Sequence, residues 1–223
     1  MKNFIVAIDG PNGAGKSTIA RELARRMGCT YIDTGAMYRA IGLYVMRRGV
    51  SSEDCCGIVR LLDEIKIRLE HRADGQHIFL GDEDVSAEIR TPEASIYASN
   101  VSKIGEVRAA LLDLQRGFAD TGSIVMDGRD IGTVVFPNAD IKIFLTASVE
   151  RRAERRYKEL IERGERVSLE EVRYDLEWRD KNDPTRKLAP LKPADDAVLV
   201  DTSEIGFEES VERVRKIVEE KLG

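Results

Sequence analysis

The apolar run from Phe4 to Ile8 leads through Asp9 into Gly10-Pro11-Asn12-Gly13-Ala14-Gly15-Lys16-Ser17, which satisfies G-x-x-x-x-G-K-[ST] in full. Ile19, Leu23 and Met27 follow at helical spacing, and Gly28 supplies a stop. Strand, glycine-rich loop and helix in that order constrain the chain to an α/β fold. The loop's N–H groups and the helix N-terminus are then directed at a phosphate. In this pattern Gly10 through Ser17 and Thr18 form the cradle, Lys16 reaches the terminal phosphates, and Ser17 is a Mg²⁺ ligand.

The rest of the chain repeats the alternation. Apolar runs of strand length lie at Tyr31 to Ile32, Ile124 to Met126, Ile141 to Leu145 and Ala197 to Val200, with helical patterns between them. One of these patterns, Ala36 to Arg48, stops at Gly49. Such alternation implies a parallel sheet covered on both faces. One stretch departs from it: Ile65, Ile67 and Leu69 alternate with charged residues, Asp74-Gly75 offers a turn, and Ile78 to Leu80 resume. An antiparallel hairpin inserted in the α/β core is expected there. Ser51 with Asp54, and Ser168 with Glu171, have capping-box spacing and predict helix starts near both serines, the second helix running toward Trp178 in the core.

Composition narrows the function. Thirty-five Lys and Arg against 40 Asp and Glu leave a net charge of −5, which argues against nonspecific grip on a nucleic acid polymer but allows a local arginine cluster around a small anion. No apolar stretch has the length of a bilayer span, and the first strand is too short for a signal peptide, so a cytoplasmic, non-membrane protein is expected. Cys29, Cys55 and Cys56 are odd in number and lack metal-ligand spacing, which fits reduced thiols.

Ile124 to Met126 ends in Asp127, where phosphate-loop proteins keep a metal-organising carboxylate that acts through water. No N-K-x-D segment follows, so ATP is the expected nucleotide. Arg39, Arg108, Arg129, Arg179 and Arg186 stand in segments after strands, where they can surround a second anion. Arg151, Arg152, Arg155 and Arg156 fall on adjacent positions of one helix. Two readings of them stay open: a solvated helix offset by Glu154 with Lys158 and Glu159 with Arg163, or a mobile cover whose arginines meet a transferring phosphoryl group.

GPNGAGKST, DTGAMYRA at 33–40, GDEDVSAEIRTPE at 81–93, VRAALLDLQR at 107–116, DGRDIGTVVFP at 127–137, KIFLTAS at 142–148 and RDKNDPTRKLAPL at 179–191 together resemble the bacterial-type cytidylate kinases over essentially the whole chain. The resemblance implies a single domain, 1–223, built as a nucleoside monophosphate kinase core. That core has a five-stranded parallel sheet with helices on both faces, a small antiparallel sheet in a monophosphate-binding insert at about 60–102, and a short helical lid at about 150–167. It implies a monomer using MgATP and CMP or dCMP. Thr34, Arg39, Ser99, Arg108, Arg129, Asp130, Arg179, Asp183 and Arg186 are then the CMP residues, and Lys16, Arg129, Arg152, Arg155 and Arg156 the catalytic ones. In this scheme Asp130 accepts from the cytosine amino group, and Ser99, Arg108 and Thr34 donate to its other edge. Arg39 and Arg129 hold the phosphate, and Asp183, oriented by Arg179, takes the ribose. Pro184 is unusual for that resemblance and predicts extended backbone at Asp183.

Two other readings compete: a kinase for a small alcohol with Asp33 as base, and an ATP-gated assembly module that transfers nothing to a small acceptor.

Overall fold

The computed structural model describes residues 3–72 and 75–223. The elements run β1 (Ile5–Asp9), α1 (Lys16–Met27), β2 (Thr30–Asp33), α2 (Thr34–Arg47), α3 (Cys55–Leu61), β3 (Ile67–Arg72), β4 (Gly75–Leu80), β5 (Glu83–Asp84), α4 (Pro92–Val101) and α5 (Gly105–Gly117). The second half adds β6 (Ile124–Gly128), β7 (Ile141–Thr146), α6 (Val149–Glu162), α7 (Leu169–Asn182), β8 (Val198–Asp201) and α8 (Phe207–Leu222). Five strands form a sheet in the order β2-β6-β1-β7-β8, and β3-β4-β5 form a second sheet. The pairings β1–β6, β1–β7 and β7–β8 are parallel, as the strand–helix alternation predicts.

The chain divides into two compact units. The first comprises residues 1–31 and 121–223. Its main core collects Val6 and Ile8 of β1, Val125, Ile141, Ile143, Leu145 and Val200 of the neighbouring strands, Ile19, Ala20, Leu23 and Ala24 of α1, and Val211, Val214 and Val218 of α8. Each strand contributes every second residue to this face. Ala7, Ile124 and Met126 point to the opposite face and are also buried, so these strands are covered on both sides. A smaller cluster of Ala153, Val172 and Leu176 joins α6 to α7. The expected lid falls within this unit.

The second unit, residues 32–120, contains the expected insert. Here β3 and β4 pair antiparallel with Ile67 opposite Leu80 and Leu69 opposite Ile78, the predicted hairpin. Asp74 of the anticipated turn lies outside the described residues. Helices α2 and α4 pack closely at Gly42, where an added Cβ would come within 2.8 Å of the Tyr97 Cβ.

Four local expectations are corrected. Ser51 does not start α3: Asp54 does, its carboxylate accepting from Gly57 N at 2.9 Å. Trp178 is 45% exposed, because the buried face of α7 is set by Val172 and Leu176, and two further residues turn a side chain about 200° away. Asp183 is helical despite Pro184 (φ −60°, ψ −42°), its N–H donating to Arg179 O at 2.7 Å. Glu154 pairs with Arg151 at 3.0 Å in place of Lys158, whereas the Glu159–Arg163 pair forms. The Ser168–Glu171 capping box is realised in full.

Candidate active site

The loop between β1 and α1 takes the shape its glycines permit. Gly10 has φ +149°, and a Cβ there would meet the Leu145 carbonyl oxygen at 2.0 Å, so no other residue fits. Gly15 is the left-handed N-cap of α1 (φ +87°), which turns the backbone before Lys16. Lys16 is buried and donates to Pro11 O at 2.8 Å across the loop it belongs to. Burial, with Arg129 nearby, lowers its ammonium to about 7, against the opposing pull of Asp127, Asp9 and Asp183.

At the end of β6, the register of β1 and β6 sets Ile8 opposite Asp127. Ser17 Oγ donates to Asp127 Oδ2 at 2.8 Å, and Tyr31 Oη donates to Asp127 Oδ1 at 2.9 Å. A hydroxyl and a buried carboxylate meeting beside a phosphate loop are hard oxygen donors of the type Mg²⁺ prefers. Among the described residues no group of three or more His, Cys, Asp or Glu side chains could hold a metal by itself.

Beyond Asp127 the first unit gathers three of the expected substrate residues. Arg129 Nε donates to Asp183 Oδ2 at 3.3 Å, and Arg186 donates to Asp183 Oδ1 at 2.5 Å. Arg179 turns to Asp175 at 2.9 Å, so Asp183 is oriented by Arg129 and Arg186 and not by Arg179. Asp130 is buried immediately after Arg129.

The four arginines of α6 separate into distinct environments. Arg151 is exposed. Arg152, expected as a lid arginine, is 5% exposed and fully engaged: it donates to Ala147 O at 2.9 Å, to Asn12 O at 3.1 Å, and through two nitrogens to Asp180. Arg155 is half-buried, donates to Thr202 Oγ1 and O at 3.1 and 2.6 Å, and lies beside Gly15. Arg156 pairs with Glu159 at 2.8 Å.

The second unit carries Thr34, Arg39, Ser99 and Arg108. Asp33 caps α2, its Oδ1 accepting from Ala36 N at 2.9 Å, and its Oδ2 takes Arg39 at 3.0 Å. Gly35 leaves the space for that pair: a Cβ would stand 3.0 Å from the Arg39 guanidinium and 3.1 Å from Asp33 Oδ1. Arg39 Nε is buried and has no acceptor among the described residues, a donor a bound anion would satisfy. Arg108 lies 6.0 Å from the centre of the Tyr38 ring and reaches Ser102 O at 3.5 Å. Thr34 is buried, and Ser99 is half-buried on α4.

Sequence reading did not assign Asp9 or Tyr31 to the site, and it named Arg39 for the phosphate without the pairing to Asp33. The one available signal was a carboxylate closing an apolar strand directly before the glycine loop. All three cysteines are free, and burial raises the Cys29 thiol to about 11. Among the described residues no helix is long and apolar enough to cross a membrane.

The chain is 46% identical over 223 residues to a cytidylate kinase of Caldicellulosiruptor saccharolyticus, covering 100% of this chain and 99% of that protein. It is 52% identical over 213 residues to a cytidylate kinase of Caldanaerobacter subterraneus, covering 96% and 93%. In structure it is similar to an uncharacterized protein from Eubacterium ventriosum, with a TM-score of 0.55 at 12% identity and 97% and 99% of the two chains covered, a likeness of fold alone. The family model described as cytidylate kinase matches residues 6–220, and the chain belongs to that family.

Proposed function

We propose that the protein transfers the γ-phosphoryl group of ATP to CMP, and to dCMP, as a monomeric cytoplasmic enzyme. The observation that carries this reading is the match of the cytidylate kinase family model from residue 6 to 220, on a chain whose Lys16, Ser17 and Asp127 converge at the phosphate loop.

Chemistry follows from the acceptor. A monophosphate oxygen is already largely anionic near neutral pH, so no strong base is required, and catalysis reduces to alignment and charge neutralisation. Lys16 and the loop from Gly10 to Thr18 hold the ATP phosphates. Ser17, and Asp127 through water, would hold a Mg²⁺ ion, which would further neutralise the phosphate oxygens. Arg155 and Arg156 stand on α6 to offset charge on the moving group, while Arg152 keeps Asn12 of the loop in place. Arg39 and Arg129 take the acceptor phosphate, their planar forks suiting its oxygens. Asp130 reads the cytosine amino group, with Ser99, Arg108 and Thr34 as donors to the base, and Asp183, oriented by Arg129 and Arg186, serves the ribose. Uracil would set a carbonyl against the Asp130 carboxylate, so discrimination of about 10²-fold or more against UMP is expected.

The alcohol-kinase alternative is weakened by Asp33. Both of its oxygens are engaged, one by the α2 N-terminus and one by Arg39, which suits a positioning carboxylate better than a base. A coupled ADP-release assay with MgATP and CMP, dCMP, UMP, AMP and GMP tests the proposal. Fast turnover with CMP and dCMP and little with UMP is expected. No stimulation by any monophosphate, in protein that binds ATP, would overturn it.

A further inference from the structure

Asp9 closes β1 and is 4% exposed. It is the residue before the phosphate loop, yet its carboxylate accepts from the segment that follows β6. The register of β1 and β6 sets Asp9 opposite Gly128, immediately before Arg129 and Asp130. From there Oδ1 accepts from Ile131 N and Oδ2 from Gly132 N, each at 2.7 Å. These two amides open a single wide turn, Ile131–Val135, whose closing bonds run from Val134 N and Val135 N to Asp130 O and from Phe136 N to Ile131 O. The first N–H groups of such a turn have no partner within it. Asp9 supplies both acceptors, one oxygen for each.

From this geometry we propose that Asp9 is a positioning residue for the acceptor nucleotide: its two-oxygen clamp on Ile131 and Gly132 fixes the backbone that presents Arg129 and Asp130. The proposal rests on the reading of those two residues as CMP contacts. Only a carboxylate meets the requirement, because an amide in the same place has one acceptor oxygen and would set its NH₂ against a backbone N–H. Gly132 belongs to the same device. A Cβ there would stand 3.2 Å from the Lys142 side chain and 3.4 Å from Asp9 Oδ2.

The clamp predicts a split between substrates that loss of the fold would not produce. In folded Asp9→Asn enzyme the KM for CMP should rise about tenfold or more and preference over UMP should shrink, while the ATP dissociation constant stays within about threefold. Gly132→Ala, which leaves Asp9 intact and sets a methyl group against Lys142 and Asp9 Oδ2, should raise the CMP KM in the same direction by about threefold or more. Arg129→Ala serves as the reference. If it loses CMP affinity while both clamp variants keep it, the clamp is overturned and the reading of Arg129 stands. If Arg129→Ala leaves the CMP KM unchanged, that reading fails and the clamp falls with it. Equal losses for ATP and CMP in Asp9→Asn would make Asp9 a support of the phosphate loop and overturn the proposal. Should Asp9→Asn not fold, the CMP and ATP constants of Gly132→Ala decide alone.

Discussion

Arg39 and Asp33 face each other at 3.0 Å across the first turn of α2, and the same carboxylate caps that helix. One side chain therefore starts the helix and aims the guanidinium that rises from its second turn. Asp33→Ala removes both functions. It should lower stability by about 1–2 kcal/mol through the lost cap and raise the KM for CMP, with turnover at saturating CMP much less affected. Urea denaturation and steady-state kinetics check the two parts. Loss of turnover at saturating CMP with unchanged KM would instead favour Asp33 as a base.

Lys16 gives a proton signature. Its ammonium is lowered to about 7 by burial and by Arg129, so at pH 8 much of it is neutral in the free protein. Arriving phosphates favour the charged form and raise it again. MgATP binding at pH 8 should therefore take up as much as about one proton, and at pH 6 almost none. Calorimetry in buffers of different ionisation enthalpy reads this directly. Lys16→Ala should abolish the uptake and cost turnover by about 10²-fold or more.

Asp9 titrates in the opposite sense. Burial raises its carboxyl from 3.8 to about 6, against the two backbone amides that lower it, and Asp130 adds to the rise. The folded protein then binds this proton more tightly than the unfolded chain. The resulting contribution is fully present below about pH 4 and is lost as pH rises through about 6, by up to about 3 kcal/mol. Denaturant midpoints of wild type and Asp9→Asn between pH 4 and pH 8 should converge or cross, because the amide lacks this slope.

Arg152 should behave as a structural element first. Removing it leaves Asp180 and the carbonyls of Ala147 and Asn12 without their donor. Arg152→Ala is expected to cost about 3 kcal/mol, toward the lower end for a broken buried pair because the Asp180 side chain keeps 30% exposure. Arg151→Ala, at an exposed pair, should change stability by less than about 1 kcal/mol. Thermal unfolding separates them. An unchanged melting temperature in Arg152→Ala with lost turnover would return Arg152 to direct contact with the phosphoryl group.

Ser17 and Asp127 predict a metal dependence. Asp127→Asn removes the charge but keeps an acceptor for Ser17, so it should raise the Mg²⁺ concentration needed for half-maximal turnover. Tyr31→Phe leaves Asp127 charged while removing one hydrogen bond at Oδ1, and should cost about 1 kcal/mol of stability with a smaller change in metal requirement. Titration of turnover against Mg²⁺ distinguishes the two.

By itself the sequence determined what is encoded within a few residues of one another. The phosphate loop, the stops at Gly28 and Gly49, the Ser168 capping box and the alternation of β3 all follow from short-range spacing and appear where that spacing puts them. The parallel sheet also follows, because strands alternating with helices have few other ways to bury both faces. The partners of the charged side chains were decided only in three dimensions. Ile131 N reaches Asp9 across 122 residues, Ser17 reaches Asp127 across 110, and Arg152 reaches Asn12 across 140. Nothing in a local window distinguishes Arg151, which is exposed, from Arg152, which is buried against the loop. The register of β1 against β6 and the packing of α6 on α7 make that distinction. A buried charge is tolerated only where its partners are in place, and here those partners come from strands and helices far apart in the chain.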